Sequence, residues 1–477
     1  MSPPPKFTRI IATLGPASSD EETIADLIRA GANCFRLNFS HGDGPALQPL
    51  VERIRAVAAR EGQYVPILAD IQGPKLRIGD LPADGVVLKE DATFVITSRQ
   101  VPGDEREVHS PYAFLTTDIR VGSKILLSDG LIELQVRDVN GTDVTCRVLV
   151  GGRLYSRRGI NLPGARLSIE SITAKDREDL SFISGSDIDL VAISFVRSAH
   201  DLSAARALLG ARKIPVIAKL ERPEALTDLD AILQYSDGIM IARGDLGVEI
   251  DFKRVPIVQK EILRKAALRG KWAIVATQVL ESMIERARPT RAEVTDVANA
   301  ILDGTDALML SGETAVGRYP VKAVDAMAEI ARETEKLEHA RSGGEDPDFD
   351  DDIVSFAAGA AGAAVSAARR LDAKAIVALA GSGLTALLLS KWRPYLPLVA
   401  LSSDPPTLRR LNVLRGVTPL EVADNSEMEE QIRAADRKLL DQGWASPGET
   451  VVIVAAFPLG EKKETNTIRF HKVRDVI

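Results

Sequence analysis

Short runs of apolar, β-branched residues recur through the first two-thirds of the chain. They read "TRIIATLG", "NCFRLNF", "VPILADI", "DLVAISFV", "IPVIAKLE", "GIMIARGD", "WAIVATQV" and "ALMLSGE". The runs are continuous rather than alternating, the pattern of parallel strands buried on both faces. Between most of them lie helical stretches, such as residues 21–31 ("EETIADLIRAG") and "ALQPLVERIRAVAAREG". Several close on glycine, a common helix stop. Eight such strands separated by helices predict a (β/α)8 barrel. A doubly wound open sheet is the alternative that the same pattern allows.

One gap is too long for a single helix. After "VPILADI" the next barrel-like strand begins near Asp189. The intervening chain is β-rich, with hairpin signals at Asp129-Gly130 and Asn140-Gly141. It reads as a small β-barrel lid inserted after the third strand. The barrel helices run to near His339, and an acidic Gly/Pro linker, "SGGEDPDFDDD", follows. Beyond it "AKAIVALAG", "PLVALSS", "ETVVIVAA" and "TIRFHKV" alternate with helical segments, which predicts a third, open-sheet α/β unit. The expected division is residues 1–72 and 168–344 for the barrel, 73–167 for the lid and 345–477 for the C-terminal unit.

Bulk composition narrows the function class. A chain of 477 residues suits about three domains. A net charge of −7 argues against general nucleic-acid binding, which needs a basic face. No apolar run reaches membrane-spanning length, and the opening "MSPPPKFTRI" lacks the apolar core of a signal peptide. Two cysteines, Cys34 and Cys146, cannot build a disulfide framework. A cytoplasmic location is expected. Five histidines give little support to a His-rich metal site.

Barrel chemistry sits at the C-terminal ends of the strands. Those ends carry Arg36, Asn38, Ser40 and His41; Asp70; Lys219 and Glu221; Arg243, Gly244 and Asp245; Thr277 and Gln278; Ser311 and Glu313. Glu221 and Asp245 lie on neighbouring strand ends. Two hard oxygen ligands with room for water suit Mg2+ (or Mn2+) rather than zinc. Lys219, two residues before Glu221, points to the same side of its strand. An ammonium beside a divalent ion suits an anionic, charge-shifting group such as a phosphoryl or enolate. "RGDLG" reads as a strand-to-helix turn whose backbone N–H groups hold a carboxylate or phosphate. Arg36, Lys75 and Arg77 add cations, and the hydroxyls of Thr277 and Ser311 can orient water and pass a proton. The residues point to metal-assisted chemistry on a small anion, with phosphoryl transfer the leading class.

Eight long motifs resemble the pyruvate kinase family: "RLNFSHG" (36–42), "DIQGPKLR" (70–77), "GINLPG" (159–164), "IAKLE" (217–221), "SDGIMIARGDLGVEI" (236–250), "ATQVLESMI" (276–284), "RPTRAEVTDVANAILDG" (288–304) and "MLSGETAVGRYP" (309–320). The resemblance spans nearly the whole chain. It implies phosphoenolpyruvate and MgADP giving pyruvate and ATP, in a homotetramer with a C-terminal effector domain. It places the divalent metal on Glu221 and Asp245, and the phosphoryl and enolate contact on Lys219. Arg36 becomes a phosphate-binding arginine, and Thr277 lies near the face that takes up the proton. The backbone of Arg243, Gly244 and Asp245 forms the carboxylate cradle. Nucleotide contacts fall on Asn38, His41, Arg77 and Arg158, where arginine replaces the family's usual lysine and a fork replaces a point charge.

The monovalent-cation site of K+-dependent members corresponds to Asn38, Ser40, Asp70 and the carbonyl of Ile71. Those members read "DTKGPEIR" where this chain reads "DIQGPKLR", so Lys75 stands in place of a glutamate. That resembles the K+-independent branch. A unit charge at a few ångströms is worth on the order of a few kcal/mol at an effective dielectric of ~20, enough to stand in for a bound ion. K+ is therefore expected not to be required. The turn at Ser382, Gly383 and Thr385 resembles the loop that the family uses for phosphorylated effectors, with free N–H groups and hydroxyls as donors. Two other readings compete. One is another phosphoenolpyruvate/pyruvate barrel enzyme, which would lack the inserted lid. The other is an inactive metabolite-sensing homologue, which would have lost Lys219, Glu221, Asp245, Arg36 or Thr277.

Overall fold

The computed structural model describes residues 6–341, 355–379, 381, 383–423, 427–457 and 465–475. Eight parallel strands close into a barrel: β1 (Arg9–Thr13), β2 (Cys34–Asn38), β3 (Ile67–Asp70), β4 (Leu190–Ile193), β5 (Val216–Leu220), β6 (Gly238–Ala242), β7 (Trp272–Ala276) and β8 (Ala307–Leu310). The closed ring rules out the doubly wound sheet. Along each strand alternate residues face opposite ways. Ile10, Ala12, Val191 and Ile239 pack outward under the helices, while Ile11, Leu68, Ile217, Met240 and Met309 fill the interior. Both sets are buried, which is why the strands read as unbroken apolar runs. The first helix, Glu21–Ala30, starts on Asp20, whose side chain accepts the Thr23 N–H, and stops at Gly31 with φ of 114°. The last barrel helix is Pro320–Arg341.

Between β3 and β4 the chain leaves the barrel. Six strands form one sheet in the order Ile160–Asn161, Lys124–Leu127, Ile132–Asn140, Asp143–Val150, Thr93–Thr97, Glu107–His109. Val86–Leu88 pairs separately with Gly152–Leu154. These ladders do not close on themselves as a small β-barrel would, because pairing stops at the short edge strands 107–109 and 160–161. The unit has its own core, including Phe94, Ile96, Leu134 and Val148. Both hairpin signals hold: Asp129 and Gly130 have φ of 56° and 90°, and Gly141 has φ of 59°.

The C-terminal unit is a five-stranded sheet of β9 (Ile376–Leu379), β10 (Leu398–Ser402), β11 (Val417–Glu421), β12 (Thr450–Ala455) and β13 (Thr467–Lys472). The order is β11-β10-β9-β12-β13, with only β13 antiparallel. The sequence pattern did not pick out β11. It carries Pro419, which is tolerated because the strand lies at the sheet edge.

The floor of the barrel is sealed against this unit. Trp272, Ile274 and Ala307 share one apolar cluster with Ala361, Leu389 and Leu411. Lys391 pairs with Asp306 across the junction, both almost fully buried. Asp189 accepts the Ile67 N–H at 2.8 Å and pairs with Arg55 and Arg409 at 2.6 and 2.7 Å. With the floor closed, the open rim at the strand C-termini is left for chemistry. Among the described residues no helix is long and apolar enough to cross a membrane.

Candidate active site

The site follows from the phase of the strands. Two residues beyond the inward-facing Ile11, Cys34, Leu68, Ala192, Ile217 and Met309 stand Thr13, Arg36, Asp70, Ser194, Lys219 and Ser311. A period of two carries each of these onto the inner side of the rim. The top layer of the barrel interior is therefore polar where the layers below are apolar.

Lys219 lies at the centre and is 9% exposed. Its Nζ meets Asp70 Oδ1 at 3.0 Å, Glu221 Oε1 at 3.0 Å and Ser194 Oγ at 2.7 Å. Burial alone would lower its pKa, but the Asp70 and Glu221 carboxylates outweigh it and hold the ammonium charged well above the ordinary lysine range. Asp70 is clamped from the other side by Arg36 Nε at 2.7 Å, and Arg36 Nη1 donates to Thr13 Oγ1 at 3.1 Å. Burial works to raise the Asp70 pKa. The Lys219 and Arg36 charges overcome it and keep the carboxylate below its usual value.

Glu221 is buried and accepts the Phe195 N–H at 2.7 Å. Its pKa is pushed up, first by burial and, against the pull of Lys219, by the charges of Asp245 and Asp70. Glu221 and Asp245 thus repel one another, which is the electrostatic signature that a shared divalent cation would relieve. Two carboxylates with space for substrate oxygens and water match the donor set of Mg2+. Among the described residues no cluster of three or more His, Cys, Asp or Glu ligands occurs. The residues present fit the expected Mg2+ (or Mn2+).

Asp245 sits in the helix Arg243–Glu249 that springs directly from β6, as the "RGDLG" pattern predicted. Of the backbone donors expected there, the Gly244 N–H is already engaged, donating to Thr277 Oγ1 at 2.8 Å. The Thr277 hydroxyl in turn donates to Ala276 O at 2.6 Å. Thr277 and Gln278 take the left-handed conformation, with φ of 65° and 52°. That conformation is costly for a β-branched residue. Arg243 holds the turn by donating to the carbonyls of Thr277 (3.2 Å) and Gln278 (2.8 Å) and pairing with Asp296 at 2.7 Å. Ser311 Oγ is buried with no hydrogen-bond partner among the described residues, and its N–H goes to Glu313 at 2.8 Å.

Lys75 is placed differently from its expected role beside the monovalent-cation residues. Its Nζ approaches Asp245 Oδ1 at 3.4 Å, and it makes no hydrogen bond to Asn38, Ser40 or Asp70 among the described residues. The other oxygen donors of that set are internally engaged. Asn38 Oδ1 accepts the Ser40 N–H at 3.1 Å, and Ile71 O accepts the Ser194 hydroxyl at 2.6 Å. The Ile71 side chain is buried and apolar.

The nucleotide-side residues are less gathered. Arg77 bridges to Gly159 at the base of the insert and donates to Arg157 O at 3.1 Å. Arg158 lies over the Tyr155 ring, 5.8 Å from its centroid. His41 closes the short turn Phe39–His41, and its side chain lies outside the described residues. A cleft of about 870 Å³ opens between insert and barrel, lined by Lys75, Asp129, Gly244, Asp245, Gln278 and Asp296 among others. In the C-terminal unit Gly383 (φ 86°) caps the helix Leu384–Lys391. The Thr385 hydroxyl is not the free donor expected, since it is buried and bonded to Thr465. Ser382 lies outside the described residues.

Sequence reasoning missed Ser194, which links Lys219 to the Ile71 carbonyl. The signal was present: "DLVAISFV" puts Ser194 in phase with the inward Leu190 and Ala192.

Comparisons with known proteins agree with one another. The family model "Pyruvate kinase, barrel domain" matches residues 5–324, and "Pyruvate kinase, alpha/beta domain" matches residues 359–471. Pyruvate kinase 2 of Synechocystis sp. is 42% identical over 482 residues, covering 100% of this chain and 81% of its own. The pyruvate kinase of Thermotoga maritima is 42% identical over 471 residues, covering 98% of this chain and 100% of its own. Among solved structures, a pyruvate kinase from Cryptosporidium parvum superposes with a TM-score of 0.90 at 32% identity. That match covers 98% of this chain and 96% of the other.

Proposed function

This chain belongs to the pyruvate kinase family of phosphotransferases, and on that premise we propose that its barrel-top cluster carries phosphoryl transfer from phosphoenolpyruvate to ADP, giving pyruvate and ATP. The observation that carries the assignment of residues is the Lys219 ammonium. It is fixed by Asp70, Glu221 and Ser194 at 3.0, 3.0 and 2.7 Å and kept charged at the centre of the rim.

Three cations, Lys219, Arg36 and Lys75, meet three carboxylates, Asp70, Glu221 and Asp245. Within that near-neutral ring Glu221 and Asp245 would hold Mg2+ (or Mn2+), which would make the ring cationic and supply charge neutralisation for phosphoryl and enolate oxygens. Lys219 holds the phosphoryl group and then the enolate oxygen as the bond to phosphorus breaks. Arg36 binds the phosphate. The substrate carboxylate takes the Gly244 N–H and the Thr277 hydroxyl, two groups that lie within hydrogen-bond distance of each other. Thr277 and Ser311 orient water and relay its proton to the enolate carbon, leaving hydroxide to be neutralised by solvent; the Ser311 hydroxyl has no competing partner among the described residues. The ADP side is lined by Asn38, His41, Arg77 and Arg158 beneath the insert.

The same reading includes K+ independence. It is supported by the apolar Ile71 side chain and by the internal engagement of Asn38, Asp70 and the Ile71 carbonyl. Lys75 then contributes its charge through Asp245 rather than inside the old cation pocket. A cytoplasmic homotetramer with a phosphorylated effector near Gly383 completes the reading, on the family resemblance, with Thr385 already engaged by Thr465.

Metal removal tests the assignment. EDTA should abolish pyruvate formation and Mn2+ should restore it, and Glu221→Gln should lower kcat by about 100-fold or more. Turnover of Glu221→Gln equal to wild type would refute the metal placement.

A further inference from the structure

Besides the direct Lys75–Asp245 contact, the insert meets the segments that carry the candidate metal residues through a buried polar joint. Arg222 directly follows Glu221, and Glu249 follows Asp245 by one helical turn on the same helix. The two meet: Arg222 Nη1 lies 3.0 Å from Glu249 Oε1. The third member comes from the insert. Asn161, on the edge strand Ile160–Asn161, donates Nδ2 to the same Glu249 Oε1 at 3.0 Å. Arg222 Nη2 also holds the returning chain at Ala165 O, 3.1 Å away. Arg222, Glu249 and Asn161 are 4%, 5% and 9% exposed, so water competes little for these bonds.

The joint is asymmetric. Both donors converge on Glu249 Oε1, while Oε2 is buried without a hydrogen-bond partner. A small cavity of about 20 Å³, lined by Lys75, Asn161, Phe195, Arg222 and Glu249 among others, lies beside it. The same bonds tie the insert to the segments that carry Glu221 and Asp245.

We propose that Asn161, Glu249 and Arg222 couple the docking of the insert on the barrel to the geometry of the two metal-binding carboxylates, so that metal loading and this docking favour each other. Asn161 and Glu249 are positioning residues, acting through Arg222 and the helix Arg243–Glu249. This inference rests on the placement of the divalent ion on Glu221 and Asp245. Such coupling is reciprocal: if the ion draws the insert in, loosening the insert weakens the ion.

The test uses the full chain, Mn(II) binding followed by the electron paramagnetic resonance of the free ion, and amide hydrogen exchange with and without Mn(II). In the wild type, Mn(II) should slow exchange across residues 73–78 and 160–167. Asn161→Ala should bind Mn(II) at least about 5-fold more weakly and lose most of that added protection. Should Asn161→Ala fail to melt cooperatively, Asn161→Ser carries the same expectation. A variant with a lower Tm but unchanged Mn(II) affinity and unchanged Mn(II)-induced protection would show a merely structural role and overturn the joint. If Mn(II) affinity in Glu221→Gln equals that of wild type, the metal placement fails, and the joint with it.

Discussion

At the scale of single residues, the rim is a set of buried charges that only make sense together. Asp70 bridges Arg36 and Lys219, and this has a pH consequence. The Asp70 pKa is depressed in the folded state, so its contribution to stability is present above the ordinary carboxylate value of 3.8 and is lost as pH falls through the lower folded value. The Lys219 pKa is raised, so its contribution is fully present below 10.5 and is lost only at higher pH. Asp70→Asn should accordingly flatten the loss of folding stability on the acid side of pH 4, measured by denaturant titration at several pH values. A wild-type acid slope in that variant would contradict the pairing. Ser194→Ala should cost about 10-fold or more in kcat, because the Lys219 ammonium loses one of its three anchors. Strand phase alone placed Lys219 and Glu221 on one side. The partner of Lys75 could not be read that way, since Asp245 is 170 residues further along the chain and the contact depends on how the insert leaves the barrel.

At the scale of elements, the exit from β3 is the tightest point. Gly73 has φ of 67°, and a Cβ there would stand 2.9 Å from Ser194 Cβ and 3.1 Å from the Ser194 carbonyl oxygen. Its N–H is held by Asp176 at 3.0 Å. Gly73→Ala combines strain with a clash that backbone cannot yield to. It should destabilise by about 1–3 kcal/mol by chemical denaturation. A neutral result would mean that the turn relaxes freely. The "DIQGP" breaker was legible as the place where the barrel strand stops. The eight barrel strands were also legible, because burial on both faces leaves an unmistakable apolar run. β11 was not, because an edge strand with a proline and partly exposed residues lacks that run. The insert's edges escaped for the same reason, being two or three residues long.

At the scale of the whole molecule, a sealed floor and an open rim divide stability from chemistry. The floor ion pair Lys391–Asp306 is nearly inaccessible to water, and burial drags the Lys391 pKa down even against its partner. Among the described residues Lys391→Met leaves the buried Asp306 carboxylate with the Ala273 N–H, and should cost about 3–5 kcal/mol in unfolding free energy while sparing KM for phosphoenolpyruvate. The three-unit layout was readable from the gap after β3 and from the renewed alternation of strands and helices in the C-terminal third; the acidic linker, residues 342–352, lies outside the described residues. How the units press together was not, because the junction is built from side chains far apart in sequence. In the proposed function the Lys219 ammonium is the charge on which phosphoryl transfer turns, in a site with its own cations. That role is tested most directly by pyruvate release from phosphoenolpyruvate and MgADP in tetramethylammonium buffer free of K+ and Na+. The wild type should turn over there, and Lys219→Met should fall by about 1,000-fold or more. A Lys219→Met rate equal to wild type, or a wild type silent until K+ is added, would contradict it.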